Sequence, residues 1–226
     1  MENPNDKAFF DWLRQQQADK HLSQNMVDGA NELLALMTHD ELKQALTKVM
    51  GLATQDNQAQ PSTATLQLSA KGIEQINQFE GFKSKPYLDS VGKATIGYGT
   101  TYYVNADGSR KAVTLNDTPI TQEQAHAIKQ AVINHDFAPA VNLMFADEIA
   151  NGKISQNQFD ALISLAYNIG IKGLKGSSVY RNIKNGDFKA AADSFLAWNK
   201  GRVNGQLTVL KGLTNRRAKE RELFLA

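Results

Sequence analysis

The chain has 226 residues, 42% hydrophobic and 21% charged, which is apolar enough for a packed core and too balanced for wholesale disorder. It has no cysteine, so no disulfide holds it, and no run of about 18 apolar residues, so no transmembrane helix is expected. The net charge of +2 hides an asymmetry: residues 1–57 carry 5 Lys/Arg against 9 Asp/Glu, and residues 58–226 carry 20 against 14, so the larger part prefers an anionic partner.

The polar start, Met1 to Asp6, lacks a basic region followed by an apolar run, so no secretory leader is expected. Residues 1–51 read as a small helical unit. Phe9, Phe10, Trp12 and Leu13 cluster first, and Met26, Val27, Ala30, Leu33, Leu34 and Met37 follow at helical spacing. Thr38-His39-Asp40-Glu41 has the form of a capping box and opens a third helix with Leu42, Ala45, Leu46, Val49 and Met50. So short a unit has a marginal core of its own. Residues 52–68, rich in Gln, Thr and Ala, have linker composition.

A second unit is expected over 69–226. Ile73, Ile76 and Phe79 predict a short helix ending at Glu80-Gly81. From Tyr87 to Leu115, glycines punctuate runs rich in Thr, Tyr, Val and Ile, which predicts a β-ribbon with a turn at Asn105–Gly108. Thr121 and Ser155 begin two more capping boxes, and the second opens the most apolar helix, Phe159 to Ile169, the expected centre of the unit. Gly186-Asp187 precedes a helix expected to reach Trp198, and Thr214 is read as the cap of a basic C-terminal helix. The fold class is α+β, mainly α.

Cleaving a glycosidic bond needs a protonated acid at the leaving oxygen and a nucleophile or activated water on the other face of the sugar. Glu80 lies between Phe79 and Phe82, which predict a shielded carboxyl; Asp89 lies beside Ser90 and Gly92, at a polar turn; Thr95 offers a hydroxyl. On residue types alone, such a pair is more often two solvated surface charges. Glu-x(8)-Asp-x(5)-Thr followed by Ile96-Gly97-Tyr98-Gly99, however, resembles the active-site signature of the phage-type lysozymes, or endolysins. The run Phe159 to Gly170 is similar to that family's central helix. Ser177-Ser178, Gly186 to Ala192, and Gly212 to Glu220 with its Arg216-Arg217 pair resemble later family segments, all in the same order.

The resemblance implies a lysozyme-like domain with a small β-ribbon lobe and a helical lobe. It implies a muramidase cutting the β-1,4 bond between N-acetylmuramic acid and N-acetylglucosamine in bacterial peptidoglycan. Glu80 would be the general acid, and Asp89 with Thr95 would position a water, inverting the anomeric centre. Arg216, Asn168, Tyr98 and Gly97 would support the site. Where many relatives carry His after Gly-Tyr-Gly, this chain has Thr100, so the usual ion pair of that corner is not expected. The resemblance also implies synthesis in a host bacterial cytoplasm and action at the wall, and a monomer is expected.

Lys200, Arg202, Lys211, Arg216, Arg217, Lys219 and Arg221 crowd the C-terminus, which reads either as contact with an anionic membrane surface or as a solvated helix face. His21, His39, His126 and His135 lack metal-ligand spacing, so no metal and no cofactor are expected. No nucleic-acid motif accompanies the basic charge, and no nucleic acid is expected as partner. Three alternatives remain open. A lytic transglycosylase would cut the same bond using Glu80 alone, a wall-binding module would have a dead site, and a membrane-active protein would work through its basic C-terminus. The run Leu22–Gly29 is weakly similar to helical segments that precede some phage catalytic domains.

Overall fold

The computed structural model describes residues 4–15, 31, 34, 65–203 and 205–226. The expectations for Met26 to Met50, including Thr38–Glu41, for Leu22–Gly29 and for His21 and His39, apart from the single position Leu34, lie outside the described residues. Helix α1 (Pro4–Gln15) buries Phe9 and Leu13, one turn apart, and Phe9 packs edge-on against Phe10.

The remaining described chain is mainly helical. In order it comprises α2 (Ala70–Asn77), β1 (Lys83–Leu88), β2 (Ala94–Gly97), β3 (Tyr102–Val104), β4 (Arg110–Ala112), α3 (Gln122–Asp136), α4 (Ala138–Met144), α5 (Ala146–Ala150), α6 (Gln156–Ile169), α7 (Ile171–Lys175), α8 (Ser178–Lys184), α9 (Phe188–Ser194), β5 (Lys200–Val203), β6 (Gln206–Val209) and α10 (Lys211–Leu225). The strands form three antiparallel hairpins, β1–β2, β3–β4 and β5–β6. The expected ribbon is thus two hairpins beginning at Lys83, with Asn105–Gly108 closing the second.

Helix α6 is the centre. Ser155 accepts from the Gln158 amide at 3.2 Å while Gln158 accepts from the Ser155 amide at 2.9 Å, satisfying two orphan donors. Ala161, Leu162, Ile163, Leu165 and Ala166 are fully buried on several faces of the helix because α2, α4, α7 and α10 all pack on it. Leu162, Ile163 and Leu165 each contribute about 1.5–3 kcal/mol by leaving water. The packed unit also starts earlier than composition predicts. The Asn134 side chain accepts from the Leu68 amide, Asn142 bonds both backbone groups of Leu66, and Leu68 is buried in the core.

Three further expectations change. Helix α10 begins at Lys211 rather than at a Thr214 cap, because the Thr214 hydroxyl donates back to the Leu210 carbonyl from inside the first turn. Helix α9 stops at Ser194 and tightens into a single 3-10 turn, Phe195–Ala197. The stretch before α10, read as part of a basic segment, is the β5–β6 hairpin. Its sequence signal was the Asn204-Gly205 pair, the favoured two-residue hairpin loop.

Candidate active site

The site begins at the C-terminal end of α2. Ser69 caps that helix, accepting from the Gly72 amide, and is itself gripped by buried Asp160 of α6 through its amide (2.9 Å) and its hydroxyl. Burial pushes the Asp160 carboxyl upward, against the pull of the Ser69 and Gln156 hydrogen bonds. Helix α2 is therefore pinned to the central helix. After one further turn, in which the Glu80 amide donates to Asn77, the chain delivers Glu80 with 31% of its side chain exposed.

The groups around Glu80 come from the far end of the chain. Arg216 Nη1 lies 3.8 Å from Glu80 Oε1. Arg216 is only 5% exposed. Its Nε donates to Glu220 at 3.1 Å and its Nη2 to the Ser164 carbonyl at 3.3 Å, and its guanidinium lies over the rings of Phe79 and Tyr167. Glu220 also takes Arg217 on both oxygens and the Ser164 hydroxyl at 2.6 Å. Burial raises the Glu220 carboxyl, opposed first by the charge of Arg217. The two phenylalanines expected to shield Glu80 are engaged elsewhere: Phe79 lies against Arg216, and Phe82 packs on Tyr98 with centroids 5.3 Å apart.

Asp89 sits at the turn of the β1–β2 hairpin. Its Oδ1 accepts from the amides of Val91 and Lys93, both at 2.9 Å, which orders the turn and fixes the carboxylate. Thr95, cross-strand from Tyr87, is 2% exposed and donates its hydroxyl to the Lys93 carbonyl at 3.0 Å. Its proton is thereby committed, leaving the oxygen lone pairs as acceptors.

Beyond Thr95 the chain doubles back on itself. Ile96 and Thr100 exchange backbone bonds at 2.8 and 2.9 Å around Gly97, Tyr98 and Gly99. Gly97 has φ 63°, and a Cβ there would sit 2.9 Å from Ala125 Cβ, so only glycine lets β2 approach α3 this closely. Thr100 is buried and its hydroxyl has no partner among the described residues. The corner is tied instead through Tyr98, whose hydroxyl bonds His126 at 2.9 Å and whose carbonyl accepts from Lys129 at 2.9 Å. Asn168 is exposed near the end of α6 and makes no described cap there; the Gly170 amide closes the helix onto Ala166.

Comparison with known proteins decides the lineage. The family model for phage lysozyme matches residues 77–220. The chain belongs to the phage lysozyme family. It is 35% identical over 159 residues to an endolysin of Acyrthosiphon pisum secondary endosymbiont phage 1, covering 70% of this chain and 98% of that one. Among solved structures it is similar to an endolysin from Escherichia coli O157:H7 phage FAHEc1 (TM-score 0.52, 35% identity, 72% and 96% covered). It is also similar to a P22 lysozyme mutant (TM-score 0.55, 33% identity, 71% and 99% covered). As a phage lysozyme the chain is a glycoside hydrolase of the muramidase kind, and it acts on bacterial peptidoglycan.

This phage lysozyme also carries groups that residue-by-residue reading passed over. Ser164, Tyr167 and Glu220 stood within the matched segments without a role, yet they build the seat of Arg216. Lys129 gave a local signal. It falls on the buried stripe of α3 with Ala125, Val132 and Ile133, where a lysine is out of place. The C-terminal helix is correspondingly less available as a basic face: Arg216 and Arg217 point inward, and Arg221 pairs with Asp193 at 2.7 Å.

Proposed function

We propose that Glu80 is the general acid and that Asp89 with Thr95 holds the attacking water, in an inverting cut of the β-1,4 bond between N-acetylmuramic acid and N-acetylglucosamine. The observation that carries this reading is the seat of Glu80. It is the solvent-reaching carboxyl of an otherwise buried charge cluster, 3.8 Å from an Arg216 that is itself held at its Nε and Nη2. Such a carboxyl is fixed in direction while remaining open to a ligand, as proton donation to a leaving oxygen requires.

On the other side, Asp89 Oδ1 is occupied by two amides, and Thr95 presents only lone pairs. A water donating one proton to Asp89 Oδ2 and one to Thr95 Oγ1 turns its own lone pair toward the anomeric carbon. As the bond to the leaving sugar breaks, the Glu80 proton passes to the leaving oxygen, and Asp89 takes the water proton. Inversion calls for carboxyls roughly 6.5–9.5 Å apart, wide enough for that water. Arg216 then orients Glu80, Tyr98 and Gly97 shape the hairpin beside the sugar, and Asn168 is an exposed amide for a sugar contact. The enzyme works as a monomer without metal or cofactor, and is made in a host cytoplasm and acts at the wall. Lipid binding by α10 has less support, since three of its arginines are engaged.

Mass spectrometry of digested, purified peptidoglycan tests the reaction. Hydrolysis leaves hydrated reducing ends, and an anhydro-sugar end would make the enzyme a lytic transglycosylase. Asp89→Ala should depress hydrolysis by about 10²-fold or more, and a product pattern independent of Asp89 would remove the water-positioning role.

A further inference from the structure

Lys129 is 3% exposed in the middle of α3. Its ammonium donates to the Tyr98 carbonyl at 2.9 Å and to the Tyr167 hydroxyl on α6, and lies 4.6 Å from the Tyr167 ring centroid. Its described polar partners are thus a carbonyl and a phenol, not a carboxylate, an expensive state for a buried cation. The groups around it come from three elements: the charges of Glu80 after α2 and of Arg216 from α10, whose guanidinium lies 5.8 Å from the same ring, and the neutral Tyr167 phenol of α6. On its own helix, His126 bonds Tyr98 one turn earlier, and Asp136 takes the Tyr102 hydroxyl of β3 two turns later.

We propose that Lys129 is a positioning residue of the active site, joining the hairpin corner to the central helix through Tyr98 and Tyr167 and so steadying the Tyr167 ring that backs Arg216 beside Glu80. The coupling rests on Glu80 being the acid. Tyr167 takes Lys129 at its hydroxyl and Arg216 over its ring, so the ammonium reaches the seat of Glu80 through one side chain. Burial pulls Lys129 down to about 8, opposed by the charge of Glu80 and reinforced by that of Arg216. The ammonium therefore titrates within an ordinary assay range.

The test pairs kinetics with a direct titration in the full chain. In Lys129→Met, which keeps the length and removes the charge, kcat/KM on purified peptidoglycan should fall by about tenfold and lose the inflection near pH 8 that Lys129 gives the wild type. A folded variant that keeps the wild-type pH profile overturns the coupling. Should that variant fail to fold, lysine ¹³Cε NMR of the wild type and of Glu80→Gln decides. The Lys129 midpoint should lie near 8 and fall in Glu80→Gln, where the carboxylate that raised it is gone; an unchanged midpoint overturns the coupling. Glu80→Gln that still clears peptidoglycan would instead sink the acid assignment, whereas an inactive Glu80→Gln with an unaltered Lys129 midpoint sinks only the inference drawn here.

Discussion

The two carboxylates of the site are held by opposite means. Asp89 is fixed locally, by amides two and four residues on, within its own turn. Glu80 is fixed non-locally, by an arginine from the last helix that is seated on Glu220, Ser164, Phe79 and Tyr167. A carboxylate held by its own turn tolerates damage elsewhere in the molecule. One held by a distant buried ion cluster inherits every fault of that cluster, and its activity is tied to the stability of the whole helical lobe.

The largest test of that contrast is Glu220→Ala. It removes the buried carboxylate that Arg216 and Arg217 share, and should cost about 3–5 kcal/mol in urea unfolding. Clearing activity should fall further than the folded fraction explains, because Arg216 loses its seat. The hairpin counterpart is Gly97→Ala, which adds strain at φ 63° and a Cβ 2.9 Å from Ala125 Cβ. It should cost about 1–3 kcal/mol and tilt the hairpin while leaving the helical lobe's near-ultraviolet signal intact. Equal losses of that signal in the two variants would erase the contrast.

A smaller effect follows from Lys129. Its folded value, about 8, lies below the ordinary lysine value of 10.5, so between these limits the unfolded chain binds more protons. Stability contributed through this group therefore rises with pH from about 8 to about 10.5. Wild type should gain on Lys129→Met in urea unfolding at pH 9 and 10 compared with pH 7; a constant difference across that range would contradict the buried ammonium. Smallest of all, Asn168→Ala should alter stability by no more than about 0.5 kcal/mol, as befits an exposed residue. Any loss of kcat/KM it causes then reports contact with substrate.

The same division between local and distant support explains what could be read from the sequence. Capping boxes at Thr121 and Ser155, the apolar run of α6 and the turn at Asp89 are written in neighbouring residues, and all appear where expected. The seat of Glu80 is not local. Nothing near Glu80 names Arg216, which was legible only through a family motif, and nothing near Arg216 shows that it is buried. The phenylalanines flanking Glu80 invited a reading of apolar shielding, but the fold turns one ring to Arg216 and the other to Tyr98. The β5–β6 hairpin was missed because its Lys and Arg residues suggested a helix face, although Asn204-Gly205 marked the turn.

The most direct measurement is turbidity loss of purified peptidoglycan under Glu80→Gln, with folding checked by circular dichroism. An isosteric amide keeps the shape and removes the transferable proton. Clearing should fall by about 10²–10⁴-fold with the fold retained. A folded Glu80→Gln that clears peptidoglycan at the wild-type rate would contradict the assignment of Glu80 as the proton donor.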